Sequence, residues 1–162
     1  MAKEIYTSII NYFNFKKNPQ HIWLLLSVSI YIVMFVYASI HDKISSYGAA
    51  PFIGYLNVIA TLVSFTCITK YINLFIQKHQ SFFKKNIIKK RMLIALLIIA
   101  VMNLFWSAWV HIDTWGCTGL RCVVTVILPI FSTLLNAFLV FVYSLFLYIK
   151  IESYNKQLNS CR

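Results

Sequence analysis

Apolar residues are gathered into four long blocks along this chain, and most polar residues fall between the blocks. The blocks cover residues 22–40, 51–69, 92–110 and 123–149. Each block is close to or above the ~20 residues that an α-helix needs to cross the hydrocarbon core of a bilayer. A mean hydropathy of +0.72 and a hydrophobic fraction of 60% also exclude an ordinary soluble domain. We therefore predict an all-α membrane protein, a four-transmembrane-helix bundle that forms a single integral membrane domain over residues 1–162.

Positive charge is distributed unequally between the two sides of the predicted bundle. Residues 1–21, 70–91 and 150–162, which four spans would place on one side, carry 13 of the 15 lysines and arginines. The other side holds only Lys43 and Arg121. Because basic residues are retained on the cytoplasmic side during insertion, we expect both termini to lie inside. The net charge of +11 then indicates an anionic bilayer surface as the partner, and no nucleic acid.

Two segments next to the blocks predict amphipathic helices on the cytoplasmic side. The first is residues 3–17, whose apolar residues recur at helical spacing: Ile5, Ile9, Tyr12 and Phe13. We expect it to lie on the inner membrane surface and to end at Asn18-Pro19. The second is a continuation of the second block beyond Lys70 to about residue 77, with its lysines reaching the headgroups.

Each of the last three blocks contains two polar residues three or four positions apart, which therefore share one helix face. The pairs are Asn57 and Thr61, Asn103 and Ser107, and Thr133 and Asn136. Unpaired polar groups are costly in hydrocarbon, so we expect the three stripes to meet inside the bundle and hydrogen-bond between helices. A transport pathway is the alternative. It is disfavoured because no charged residue falls at the centre of a block.

Two of the four cysteines, Cys117 and Cys122, fall in the second predicted outer loop. The outer face of a bacterial plasma membrane is oxidising, so we expect a disulfide that fixes this loop. The alternative is a redox-active pair. In size and topology the chain resembles the bacterial quinone reductases that reoxidise disulfide catalysts, and that resemblance implies a thiol–disulfide oxidoreductase. The first outer loop of those enzymes carries a second cysteine pair, whereas residues 41–50 of this chain contain none.

The chain offers little material for other chemistry, with four acidic residues and four histidines in all. His41 and Asp42 share the outer side with His111 and Asp113. Two dispersed pairs of this kind are typical of hydrated loop residues rather than of a metal site. We therefore predict no catalytic residue, no metal and no cofactor, in a protein that is not an enzyme.

A small basic membrane protein can act by presenting helix faces to another membrane protein. In general character the chain resembles the bacterial immunity proteins against pore-forming bacteriocins and the exclusion proteins of conjugative plasmids. That resemblance implies a non-enzymatic protective protein of the bacterial inner (plasma) membrane. Its partner would be a membrane-inserting toxin or another membrane protein, and a homo-oligomer is compatible with the sequence. The alternatives are the oxidoreductase and an accessory subunit of a membrane complex.

Overall fold

The structure, a computed structural model, describes residues 2–42, 50–113 and 120–160, and most of these residues are helical. The helices are α1 (Ala2–Phe13), α2 (His21–Asp42), α3 (Ala50–Lys78), α4 (Gln80–Lys85), α5 (Ile87–Asp113) and α6 (Leu120–Ser160). No β-strand occurs within these three ranges. The all-α prediction is confirmed for this part of the chain.

The four long helices pack side by side around a common interior. Helix α3 contacts α2, α5 and α6, and α6 also contacts α2 and α5. The order around the bundle is therefore α2, α3, α5, α6. The short helices α1 and α4 both lie at the end of the bundle where α3 ends and α5 begins. We call this end the capped end.

Three of the long helices contain segments that are long and apolar enough to cross a membrane: Tyr55–Lys78, Ile87–Trp109 and Ile130–Leu158. Helix α2 adds the shorter apolar segment His21–Val33 among the residues whose side chains are described. Large apolar side chains point outward along these helices. Val33 is 67% exposed, Phe105 67% and Phe131 64%. An apolar exterior of this extent on a bundle of long helices suits contact with lipid rather than with water.

The helices extend further at the capped end than the apolar blocks alone indicate. Helix α3 continues to Lys78, as the amphipathic spacing after residue 69 predicts, and α6 continues to Ser160 rather than ending near residue 149. The last part of α6 is polar, but it packs against α1 through Glu152, which accepts hydrogen bonds from Ser8 and from Asn11 at 3.2 Å. This tertiary contact accounts for a helix end that hydropathy does not reveal.

Helix α1 is attached to the bundle by a buried tyrosine. Tyr12 is 1% exposed, and its hydroxyl lies 3.0 Å from that of Tyr71 on α3 and 2.6 Å from that of Ser144 on α6. Tyr71 in turn donates to Ser144 at 2.7 Å, which closes a triangle of hydroxyl groups. Burial raises the pKa of the Tyr12 phenol, so this group remains a neutral hydrogen-bonding partner. The sequence predicts α1 but not this docking.

The turn between α1 and α2 is fastened by Asn18, whose side chain is fully buried. Its amide donates to the carbonyl oxygens of Asn11 at 2.8 Å and Tyr12 at 3.1 Å, which satisfies two groups at the end of α1. Its oxygen accepts a hydrogen bond from the Lys78 ammonium at 2.7 Å. Helix α1 ends at Phe13, earlier than the predicted break at Asn18-Pro19, because residues 14–20 form the turn in which Asn18 contacts the end of α3.

Helix α4 covers the remainder of the capped end with two buried phenylalanines, Phe82 and Phe83. His79 lies between α3 and α4, with its ring 5.0 Å from that of Phe75 and 5.9 Å from that of Tyr148. Its Nε2 is buried without a hydrogen-bond partner among the described residues. Burial, with a smaller contribution from the charge of Lys78, lowers the pKa of His79 to about 4.

We expect Tyr12→Phe to lower the free energy of unfolding by about 1 kcal/mol, the usual cost of losing a buried hydrogen bond. The ring would still fill its site, and Tyr71 and Ser144 would still bond to each other. Tyr6→Phe is the matched control, because Tyr6 lies on the same helix and is 66% exposed. Thermal unfolding of both variants in one detergent measures the difference, and equal stability would contradict the docking.

We expect acid to destabilise the capped end through His79. Between its ordinary pKa of 6.5 and its folded value of about 4, only the unfolded chain binds a proton on this ring. Stability is therefore complete above pH 6.5 and declines as the pH falls towards 4. Between pH 6.5 and 5 the loss should be about 1 kcal/mol, below the full linkage of ~2 kcal/mol because the partly exposed ring is screened by solvent.

The measurement is thermal unfolding from pH 7.5 to 5 for the wild type and His79→Gln. Comparing slopes rather than absolute values removes the packing change that the substitution causes at all pH values. A flatter dependence in the variant supports the assignment. Parallel curves would show that another group, such as the buried His21 beside Tyr12, is responsible.

Candidate functional site

All six polar residues predicted to face the bundle interior are buried, with exposures of 4% or less. They are Asn57, Thr61, Asn103, Ser107, Thr133 and Asn136. Burial follows from the spacing within each pair, which keeps both residues on one side of a helix. The six do not form one hydrogen-bond network. Some belong to a layer that joins four helices, one pairs two helices, and others have buried polar atoms without a partner among the described residues.

Thr61 lies at the centre of the most connected layer. Its Oγ accepts a hydrogen bond from the Tyr31 hydroxyl at 2.9 Å. It can donate to the Asn57 carbonyl oxygen at 2.8 Å or to the Ser107 hydroxyl at 3.3 Å. Because a hydroxyl has one proton, these two donations alternate. Thr133 also hydrogen-bonds Tyr31, so this layer joins α2, α3, α5 and α6.

Two further contacts each join a single pair of helices. Ser132 on α6 donates to the Asn103 oxygen on α5 at 2.7 Å, and the Asn103 amide reaches the Ser132 carbonyl oxygen at 3.4 Å. Between α2 and α3, the hydroxyls of Ser27 and Ser64 lie 2.6 Å apart. Side-chain hydrogen bonds of this type between membrane helices contribute about 0.6 kcal/mol each.

Four residues that take part in these hydrogen bonds were not predicted from the sequence: Ser27, Tyr31, Ser64 and Ser132. A signal for three of them exists. Ser64 continues the Asn57–Thr61 stripe by three positions, and Ser27 and Tyr31 are four positions apart in the first block. Ser132 has no such signal, because it precedes Thr133 and its bond depends on how α6 is rotated against α5.

Asn136 shows the third arrangement, a buried polar side chain without a hydrogen-bond partner. It is 1% exposed, and neither its oxygen nor its nitrogen has a hydrogen-bond partner among the described residues. The Asn57 oxygen is likewise buried and unpaired within the described part of the chain. An unsatisfied buried amide lowers stability by about 1–3 kcal/mol. The bundle therefore tolerates Asn136 without using its polar atoms, in contrast to Asn103.

Outside the bundle, the half of α5 away from the capped end carries large exposed side chains on one face. Met102 is 62% exposed, Phe105 67% and Trp109 71%, with spacings of three and four residues. Trp106, beside them, is 41% exposed. We call Met102, Phe105 and Trp109 the aromatic face. Trp115, further along the chain, lies outside the described residues.

Positively charged side chains at the capped end lie over aromatic rings. The Lys89 ammonium is 4.9 Å from the Phe82 ring centre, and that of Lys85 is 5.6 Å from Tyr154. A hydrogen bond that the Lys85 ammonium donates to the Tyr154 hydroxyl raises the pKa of the fully exposed Lys85, which is charged at neutral pH. These contacts hold the two ammonium groups in defined positions at the capped end. From the sequence, we predict that the positive charges at this end interact with an anionic membrane surface.

The predicted disulfide stays a prediction, since Cys117 lies outside the described residues and nothing is described of the Cys122 side chain. Cys67 on α3 is a free, buried thiol. Among the described residues, no group of three or more histidine, cysteine, aspartate or glutamate side chains is arranged to hold a metal.

Comparisons with known proteins give no relative. No protein-family model, no curated protein and no solved structure matches this chain.

The two asparagines give opposite predictions for the same substitution. Asn103→Leu leaves the Ser132 hydroxyl without its acceptor and should lower the free energy of unfolding by about 1 kcal/mol. Asn136→Leu replaces an unsatisfied amide by an apolar side chain of similar shape and should leave stability unchanged or raise it. Unfolding in detergent measures both variants, and an equal loss of stability in both would contradict the distinction.

Proposed function

We propose that the chain is a four-span protein of the bacterial inner membrane with both termini in the cytoplasm. The fourth span would be α2, whose 22 residues extend about 33 Å as a helix, enough for a hydrocarbon core of about 30 Å. Its neighbours α3 and α6 both contain membrane-compatible segments. The capped end, with α1, α4 and most of the lysines, would face the cytoplasm.

We further propose that it protects its host cell by binding an incoming membrane-active partner. The partner would be a pore-forming bacteriocin or, for an exclusion protein of a conjugative plasmid, a component of the transfer apparatus. The observation that carries this proposal is the aromatic face on α5. Its side chains are large and exposed. The helix that carries them is held to α3 by the Thr61–Ser107 hydrogen bond and to α6 by the Ser132–Asn103 hydrogen bond.

The physical reason is that a toxin helix in the bilayer gains little from apolar contact alone, because lipid tails are equally apolar. Close packing against rigid, well-oriented side chains provides the specificity that lipid does not. Aromatic residues are over-represented at such binding centres. In the proposed orientation Phe105 and Trp109 lie in the outer half of the membrane, where a toxin arriving from outside would first meet the protein.

Expression of the full chain in a sensitive bacterium tests the proposal, with survival measured against a panel of pore-forming bacteriocins. Plasmid transfer from donor cells into the same strain tests the exclusion form. We expect selective survival against one toxin, or reduced acceptance of one plasmid class. Uniform killing and normal plasmid acceptance, with the protein verified in the membrane, would contradict a protective function.

The contribution of the aromatic face is tested by Trp109→Ala. Loss of a central aromatic contact should reduce the tolerated toxin concentration by about tenfold or more. Ile88→Ala is the matched control, because Ile88 is 74% exposed on the same helix at the capped end. Both variants should reach the membrane in wild-type amounts, as measured by immunoblotting. Full protection by the Trp109 variant would exclude this face as the binding surface.

A further inference from the structure

The outward face of α3 near the capped end carries a polar stripe that the bundle does not use. A shallow open groove of about 320 Å³ runs along it, with Phe65 and Leu74 as its apolar members. Its polar members are Thr66, Thr69, Lys70, Asn73 and Gln77. They recur at intervals of three and four residues and so lie on one side of the helix. This side faces away from the buried Thr61–Ser64–Ile68 stripe.

The two threonines are already satisfied, and the three longer polar side chains are not. The hydroxyls of Thr66 and Thr69 donate to the carbonyl oxygens of Leu62 and Phe65, at 2.9 and 2.8 Å. Asn73 and Gln77 are exposed and make no side-chain hydrogen bond to the described residues. The groove therefore offers two free amides and one ammonium to a ligand.

The ammonium of Lys70 is held in a defined position. It lies 3.9 Å from the centre of the Trp23 ring on α2, close enough for a cation–π contact. Tryptophan prefers the boundary between hydrocarbon and headgroups, and Trp23 is near the start of α2 at the capped end. The pair thus places a positive charge at headgroup depth. Lys70 is exposed there, with no anionic side chain within ion-pair distance in the described part of the chain.

We propose that this groove binds the headgroup of an anionic phospholipid of the inner leaflet. The Lys70 ammonium would contact the phosphate, and the amides of Asn73 and Gln77 would donate to headgroup oxygens. Phe65 and Leu74 would flank the first methylene groups of the acyl chains. The proposal rests on the orientation proposed above, with α3 in the membrane and the capped end in the cytoplasm, but it does not depend on which partner the protein protects against.

Charge decides between lipid and a second copy of this chain as the occupant. The four acidic residues are Glu4, Asp42, Asp113 and Glu152, and only Glu152 falls within a membrane-compatible segment, Ile130–Leu158. Its carboxylate already accepts hydrogen bonds from Ser8 and Asn11 of its own chain, so a second copy packed along α3 would bring no free carboxylate to Lys70 at this depth. The phosphate of a lipid is present at that depth in every inner leaflet.

The test is native mass spectrometry of the full chain released from detergent in the presence of phosphatidylglycerol or phosphatidylcholine. The wild type should retain phosphatidylglycerol preferentially, and Lys70→Gln should weaken that retention about fivefold, as expected for one lysine at a membrane surface. Lys150→Gln is the matched control. Lys150 is also an exposed lysine over an aromatic ring, 4.5 Å from that of Phe146, but it lies on α6 away from the groove.

Equal retention by the wild type and Lys70→Gln, or no preference between the two lipids, would overturn the proposal. An equal loss in Lys150→Gln would also overturn it, by showing a general charge effect. A photo-crosslinking residue at position 73 gives an independent measurement in native membranes. Lipid adducts support the assignment, whereas covalent dimers or adducts to another protein would show a different occupant.

Discussion

The constraint on which this structure depends is that hydrocarbon offers no hydrogen-bond partner to a polar group. A polar side chain on a membrane-embedded helix therefore lowers stability unless it pairs within the protein, and Asn136 is an unpaired exception within the described part of the chain. The Ser27–Ser64 and Tyr31–Thr61 contacts meet this requirement between α2 and α3, and the Ser132–Asn103 contact meets it between α6 and α5, at 2.6 to 2.9 Å. Since apolar side chains gain little by leaving lipid for one another, such directional contacts, together with close packing, determine how each helix is rotated.

The same constraint explains why α1 has its polar side towards protein. Ser8, Asn11 and the Tyr12 hydroxyl face α6 or α3, whereas Ile10 and Phe13 remain exposed. A helix on a water-soluble protein shows the reverse arrangement. The inverted arrangement suits a helix that lies between a protein surface and the membrane boundary, as the sequence predicts for residues 3–17. The capped end is thus held by hydrogen bonds on one side, with apolar groups left for lipid on the other.

Features that depend on one helix at a time could be predicted from the sequence. The long helices, the break between α1 and α2 and the continuation of α3 to Lys78 all follow from hydropathy, spacing and turn residues. Features that depend on two helices could not. Tyr12, Tyr71 and Ser144 are far apart in the chain, and their meeting depends on the rotation of three helices. The unpaired state of Asn136 is of the same kind, because its spacing from Thr133 is as regular as that of the hydrogen-bonded stripes.

Lys70 departs from the rule that polar groups turn inward. Helix α3 contacts the three other long helices, yet its opposite side is polar at the level of Trp23. That position is acceptable because it lies where water and phosphate replace hydrocarbon, and a lysine stem can follow the apolar surface to reach them. A phosphate in the groove would contact the same ammonium that lies over Trp23. Under the proposed headgroup binding, the lipid and the packing of α2 on α3 would be coupled through this one side chain, and the charge of the leaflet would act on the bundle itself.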